Sequence, residues 1–156
     1  MTTVLRKSGL AAAVLTCLLY AGVALSQPSV HKATGGGTVE FGGAKNTVAF
    51  TAQIDAAGSV KGQAEFQLRN VDLRLHVDVD CLSVSGNRAW IAGVITESSD
   101  PTRVGTRVLW EVVDNGEGSA APPDQVSMPV QFTAASCTTH PALALVDWTN
   151  GNVQVQ

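Results

Sequence analysis

Between Val71 and Val84 apolar and polar residues alternate over the longest such stretch in the chain. Val71, Leu73, Leu75, Val77, Val79 and Cys81 fall on one side, and Asp72, Arg74, His76, Asp78 and Asp80 on the other. A period of two is the mark of a β-strand with one face buried; a helix would repeat its apolar positions every three or four residues. At Cys81-Leu82 the phase changes, and Leu82 and Val84 take over the apolar role. The change predicts a bulge, or a strand end that is covered on both faces. Ser85-Gly86-Asn87 then supplies a tight turn. The return stretch, Arg88 to Glu97, is apolar on both sides, with Trp90, Ala92 and Val94 against Ile91 and Ile95. That pattern predicts a central strand buried on both faces. Leu73 to Ser98 therefore reads as two long paired strands.

The rest of the chain repeats the theme in shorter pieces. Val48, Phe50, Ala52 and Ile54 share one face of a strand over 46–54, and Asp55-Ala56-Ala57-Gly58 turns it into a partner with Ala64, Phe66 and Leu68 in phase. Val108, Trp110 and Val112 mark another strand. Asp114 to Gln125 is the longest loop, rich in Gly, Pro and Asp. Val126 to Thr133 reads as an edge strand, because Pro129 cannot donate to a ladder. Asn150-Gly151 predicts a closing hairpin between 142–148 and 152–156. Gly35-Gly36-Gly37 lacks the Lys-Ser/Thr and helix of a phosphate loop, and reads as a flexible entry to the first strand. Eight or nine short strands with turns every 8–14 residues predict one all-β domain, a small antiparallel β-barrel or a β-sandwich.

Residues 1–26 stand apart. Arg6 and Lys7 precede an apolar run from Gly9 to Leu25, and Ala24-Leu25-Ser26 has the small residues of a cleavage site. This is the layout of a secretory signal peptide, which would form a helix ahead of the domain; an uncleaved N-terminal anchor is the alternative. The expected organisation is a signal peptide over 1–26, a flexible leader over 27–34 and a single domain over 35–156, secreted or periplasmic. Without Arg6 and Lys7 the mature chain has 8 basic and 13 acidic residues, a net charge of −5. Such a domain, with no basic run, has no electrostatic footprint for nucleic acid or anionic lipid, and no membrane insertion is expected after cleavage.

Cys17 lies within the signal run, so Cys81 and Cys137 are the cysteines of the mature chain. In an exported protein the simplest outcome is one structural disulfide between them.

Four sets of residues offer chemistry. His76, Asp78 and Asp80 stand two apart on one strand face, so neighbours could share a divalent ion if a third ligand came from elsewhere. Asp114, Asn115, Glu117 and Asp124 gather oxygen donors in the long loop, where calcium is conceivable although the spacing is not that of an EF-hand, and Asx-turn chemistry explains Asp-Asn-Gly without any ion. Trp90, Trp110 and Trp148 lie in different strands and either fill a core or line a ligand cavity. Glu65, Glu97 and Glu111 could meet inside a barrel as acid and base. Of the three histidines, His31 falls in the leader and His140 in a structural loop. No nucleophile elbow, zinc-protease motif or free nucleophilic cysteine is present, so no catalytic residue is assigned.

The segment Cys81 to Thr96, CLSVSGNRAWIAGVIT, resembles a motif of a family of small, secreted, uncharacterised bacterial β-rich proteins, Cys-Leu-x-Val-x-Gly-Asn-x-Ala-Trp-Ile-x-Gly-x-Val. The early Gly-rich strand, the Asp-x-x-Gly turn before Val60-Lys61-Gly62, and the Asp114-Asn115-Gly116-Glu117-Gly118 loop with Pro123-Asp124 extend the resemblance over most of 35–137. It implies export and a β-fold, and brings no catalytic set or cofactor with it.

The expected function is that of an exported binding or structural module without catalysis, its partner a small ligand or an extracellular protein. The alternatives are a small-ligand carrier or barrel enzyme using interior polar residues, and a surface module stabilised by calcium or another metal. A dry interior of Trp, Phe and Val would argue against the first alternative.

Overall fold

The computed structural model describes residues 29–132 and 137–156; the signal segment lies outside the described residues. The strands are β1 (Ser29–Phe41), β2 (Ala44–Asp55), β3 (Val60–Leu68), β4 (Leu73–Ser85), β5 (Arg88–Ser98), β6 (Arg107–Val113), β7 (Gln125–Ser127), β8 (Val130–Gln131) and β9 (Leu145–Val155). Adjacent strands run β5-β4-β3-β2-β1-β9-β7-β6, and β6 pairs back to β5, which closes an eight-stranded antiparallel barrel. β8 adds a further pairing, to Val108 and Leu109 of β6. The architecture is the barrel, not the sandwich.

Alternation along the strands sorts side chains to the inside or the outside. Phe50, Phe66, Leu75, Ile91, Ile95 and Trp110 are among the buried side chains of the main cluster. Trp110 sits edge-on to Phe66, with ring centroids 5.3 Å apart, and to Phe50 at 6.4 Å. Such edge-to-face pairs stabilise a core beyond their buried area by about 0.5–1.5 kcal/mol each. The outward residues of β2–β4, such as Thr51, Lys61, Gln63 and Asp78, are polar. That arrangement is the reverse of a barrel exposed to lipid. Among the described residues no helix is long and apolar enough to cross a membrane.

The phase change in β4 is a bulge. Val79 faces Gly93 and Cys81 faces Ala92, which leaves Asp80 unmatched between them. Beyond it Leu82 enters the interior, and Cys81 turns outward to a second apolar cluster of Trp90, Ala92, Leu109 and Cys137. The outer face of β5 is covered there by the strap Cys137–Leu143. Strand β5 is thus buried on both sides, by the barrel interior and by the chain's own C-terminal segment. The predicted disulfide joins Cys81 to Cys137, with Cα atoms 6.0 Å apart, and ties this strap to β4. A bridge of this kind fits an oxidising, extracellular or periplasmic environment.

Four expectations are corrected. Ser29–Thr34 is not a leader: it is the first half of β1, paired to β2 and partly to β9, with Ala33 fully buried. The strand predicted over 126–133 as an edge is split, and only its second part, β8, has a single neighbour. β7 lies between β6 and β9, and Met128-Pro129 merely divides it from β8. Asn150-Gly151 makes no hairpin, because β9 runs unbroken from Leu145 to Val155 beside β1. The three glycines are no flexible entry, because they lie inside β1. Gly37 faces Gly151, and a Cβ on Gly151 would lie 2.2 Å from the Gly36 carbonyl oxygen. The two backbones approach more closely than side chains permit, and Gly151 also holds a φ of 119°. We expect Gly151→Ala to destabilise the barrel by about 3 kcal/mol, the sum of backbone strain and overpacking. Urea denaturation reads this directly, and a loss below about 1 kcal/mol would contradict the close approach.

Candidate functional site

The outer face of β3, β4 and β5, at the end where the β3–β4 connection lies, carries a groove of about 530 Å³. Register builds it. His76 on β4 lies opposite Glu97 on β5, and Arg74 lies opposite Gln67 on β3; Glu65, opposite His76 on β3, accepts from Gln67 and stands outside the groove lining. Side chains directly opposite one another in an antiparallel pair have Cβ atoms about 4.5–5.5 Å apart, so these residues share one surface. Leu68 and Leu73, a facing pair at the start of the hairpin, supply an apolar part of the wall.

The walls are held by hydrogen bonds. Ser99 Oγ accepts from the Arg74 amide at 3.0 Å and donates to the Asp72 carbonyl at 3.2 Å. Ser98 Oγ accepts from the Asp100 amide at 3.0 Å. Asp100 in turn caps the 3₁₀ turn Pro101–Arg103, and its Oδ1 accepts from the hydroxyl of Thr102 at 2.7 Å and from the Thr102 amide. The Thr102 contacts, with Arg103 nearby, hold the Asp100 carboxyl below its ordinary value. On the β3 side Arg69 donates to the Lys45 carbonyl, to Thr47 and to Gln67. Asp72 holds a left-handed φ of 49° in the tight β3–β4 connection. Against this fixed frame the side chains of Asp72, Arg74, His76 and Glu97 form no hydrogen bond or ion pair with the described residues.

The residues singled out from sequence are divided. His76 belongs to the groove, but Asp78 and Asp80 do not join it in a metal site. Asp80 is held by Arg107 through two parallel contacts of 2.6 Å, and this pairing raises the Arg107 pKa. The pair is half exposed, so its contribution to stability is small. Among the described residues no three metal-ligating side chains converge.

The acidic loop is explained without an ion. Asp114 Oδ1 accepts from Gly116 and Oδ2 from the Val155 amide, both at 2.9 Å. Asp124 Oδ1 accepts from Asn115 at 2.8 Å and Oδ2 from Val153 at 2.7 Å. Glu117 accepts from Asn152 Nδ2. All four Asp oxygens are engaged by backbone N–H groups, and those of Val153 and Val155 pin the β6–β7 loop onto β9.

The tryptophans do not line a common cavity. Trp110 and Trp148 belong to the main core, where both indole N–H groups are buried without a partner. Trp90 lies on the opposite face, beneath the strap, and donates to the Pro141 carbonyl at 3.0 Å. His140 stacks on Trp90 with centroids 4.1 Å apart, and its Nε2 lies 2.7 Å from Ser83 Oγ. The positive φ of His140, 47°, is a strained backbone that this double contact holds. The Ser83–His140 contact has the distance of a nucleophile–base pair. With the Trp90 stack, this contact clasps the strap to β4 and β5.

The three carboxylates do not meet in the interior either. Glu65 and Glu97 flank His76 on the outer surface. Glu111 is fully buried under the strap, 2.5 Å from Arg88 Nη2, and accepts from the Leu143 amide at 3.4 Å. No protein family, curated protein or solved structure matches this chain.

Proposed function

We propose that the chain is an exported, disulfide-stapled binding module without catalysis, and that it binds through the outer groove of β3–β5. The observation that carries this reading is the division of polar groups. The interior is filled by Phe50, Phe66, Trp110 and aliphatic side chains, whereas unpartnered Arg, His, Asp and Glu side chains gather in the groove. A small-ligand carrier or barrel enzyme needs polar groups and space inside, and the packed aromatic centre argues against both. Export is supported by the basic and apolar N-terminal segment together with the disulfide, which points to the secreted or periplasmic side. The family resemblance around Cys81–Thr96 agrees with that setting.

The test is a thermal-shift screen of the mature chain beside an Arg74→Ala/His76→Ala double variant. Both substitutions fall on the outer face and should leave folding intact. A ligand that binds only the native state raises the melting temperature by mass action. We expect stabilising compounds to act on the wild type and to lose their effect on the double variant. Compounds that stabilise both proteins equally would place binding elsewhere and defeat the reading.

A further inference from the structure

We infer that the ligand of the β3–β5 groove is a neutral, polyhydroxylated molecule of the saccharide class; this rests on the groove being the binding site. Charge is the first argument. Arg69 and Arg74 are matched by Asp72 and Glu97 in the lining, so the groove is formally neutral when His76 is uncharged. An anion entering it meets two carboxylates, and a cation meets two guanidinium groups. Each also meets two opposite charges, so a net charge on the ligand gains nothing over a neutral one.

Hydrogen-bonding capacity is the second argument. Arg74 presents donors only, ionised Asp72 and Glu97 acceptors only, and neutral His76 one of each. Arg74 and Glu97 belong to successive cross-strand rows, and form no ion pair with each other. Donors and acceptors therefore stand side by side with their capacity unused. A hydroxyl both donates and accepts, so a run of vicinal hydroxyls satisfies such a surface where a carboxylate, phosphate or amine satisfies half of it. The half-buried Leu68 and Leu73 meet the C–H face that a sugar ring also carries. About 530 Å³ falls within the range of small-molecule sites and suits a disaccharide. Because the groups stand on paired strands and not on a free loop, little ordering is needed on binding.

The experiment is amide chemical-shift mapping of the isotopically labelled mature chain. The neutral probes are cellobiose, maltotriose and N,N′-diacetylchitobiose; the charged probes are inorganic phosphate and spermidine. We expect saturable shifts at Arg74, His76 and Glu97–Ser99 with at least one saccharide. Arg74→Ala and Glu97→Ala should each weaken binding at least tenfold, and Lys61→Ala, elsewhere on the outer face, should leave it unchanged. Saturable groove shifts with phosphate or spermidine and none with a saccharide would overturn the ligand class and leave the groove as the binding site. Saccharide shifts that survive both groove substitutions would overturn the site as well. A groove silent to all five probes would also overturn the inference.

Discussion

Removal of the Cys81–Cys137 bridge is expected to lower the stability of the mature chain by about 4 kcal/mol. The bond spans 56 residues, and closing a loop of that length restricts the unfolded chain by about this amount in the chain-entropy model. The folded side of the balance points the same way. Cys137 is fully buried and joins the strap to β4, and the strap shields Trp90, Leu109 and Glu111. None of the barrel's own strand pairings passes through the strap, so a reduced barrel can keep its topology while losing stability. Urea denaturation with and without phosphine reductant, repeated on Cys81→Ser/Cys137→Ser, measures the effect. At a urea slope of about 1–3 kcal/mol per molar, the midpoint should fall by more than 1 M. A midpoint unmoved by reduction and by the double substitution would show that the bridge is ornamental.

Much of the barrel was legible because alternation, turns and cysteines are local signals. The hairpin β4–β5 is the clearest case. The Gly86-Asn87 turn sets Ser85 opposite Arg88, and the same register carried down the strands sets His76 opposite Glu97. The pairing survives because two bulges in the hairpin shift the register in opposite directions and cancel. The groove could therefore have been found by counting from the turn. Inspection of β4 alone finds His76, Asp78 and Asp80 instead, because a strand's own face is visible in sequence and its neighbours' faces are not.

Other misreadings share a different cause, long-range backbone contact. Gly35-Gly36-Gly37 and Asn150-Gly151 each read as local flexibility. Yet β1 and β9 lie 111 residues apart in sequence at Thr38 and Thr149, whose side chains touch across the seam. No local pattern reports that approach. The acidic loop left an ion and turn chemistry both open, because a carboxylate that binds metal and one that binds backbone amides look the same in sequence. What decides between them is the proximity of the Val153 and Val155 amides, which only the closed barrel provides.

That distinction makes the Asp124 carboxylate the second large effect. Asp124 is buried, and its two oxygens accept from Asn115 and Val153, one on its own loop and one on β9. Its carbonyl also accepts from the Trp148 amide, at 2.9 Å, so one residue holds the β6–β7 loop against β9 at two heights. Hydrogen bonds to an ionised acceptor contribute about 1.5–3 kcal/mol each, and a buried N–H left without its partner loses its full desolvation penalty. Asp124→Ala should therefore cost about 3–4 kcal/mol. Asp124→Asn should cost nearly as much, because one of its two terminal atoms becomes a donor facing an N–H. Calcium stabilisation makes the opposite demand: the loss would then depend on the ion, and chelator would mimic it in the wild type. Hydrogen exchange separates the two accounts. We expect the Val153 and Asn115 amides to lose protection in Asp124→Ala beyond the global loss, with wild-type protection unaltered by EDTA. Retained protection at Val153, or a stability loss under about 1 kcal/mol, would mean that the loop is anchored by something other than this carboxylate.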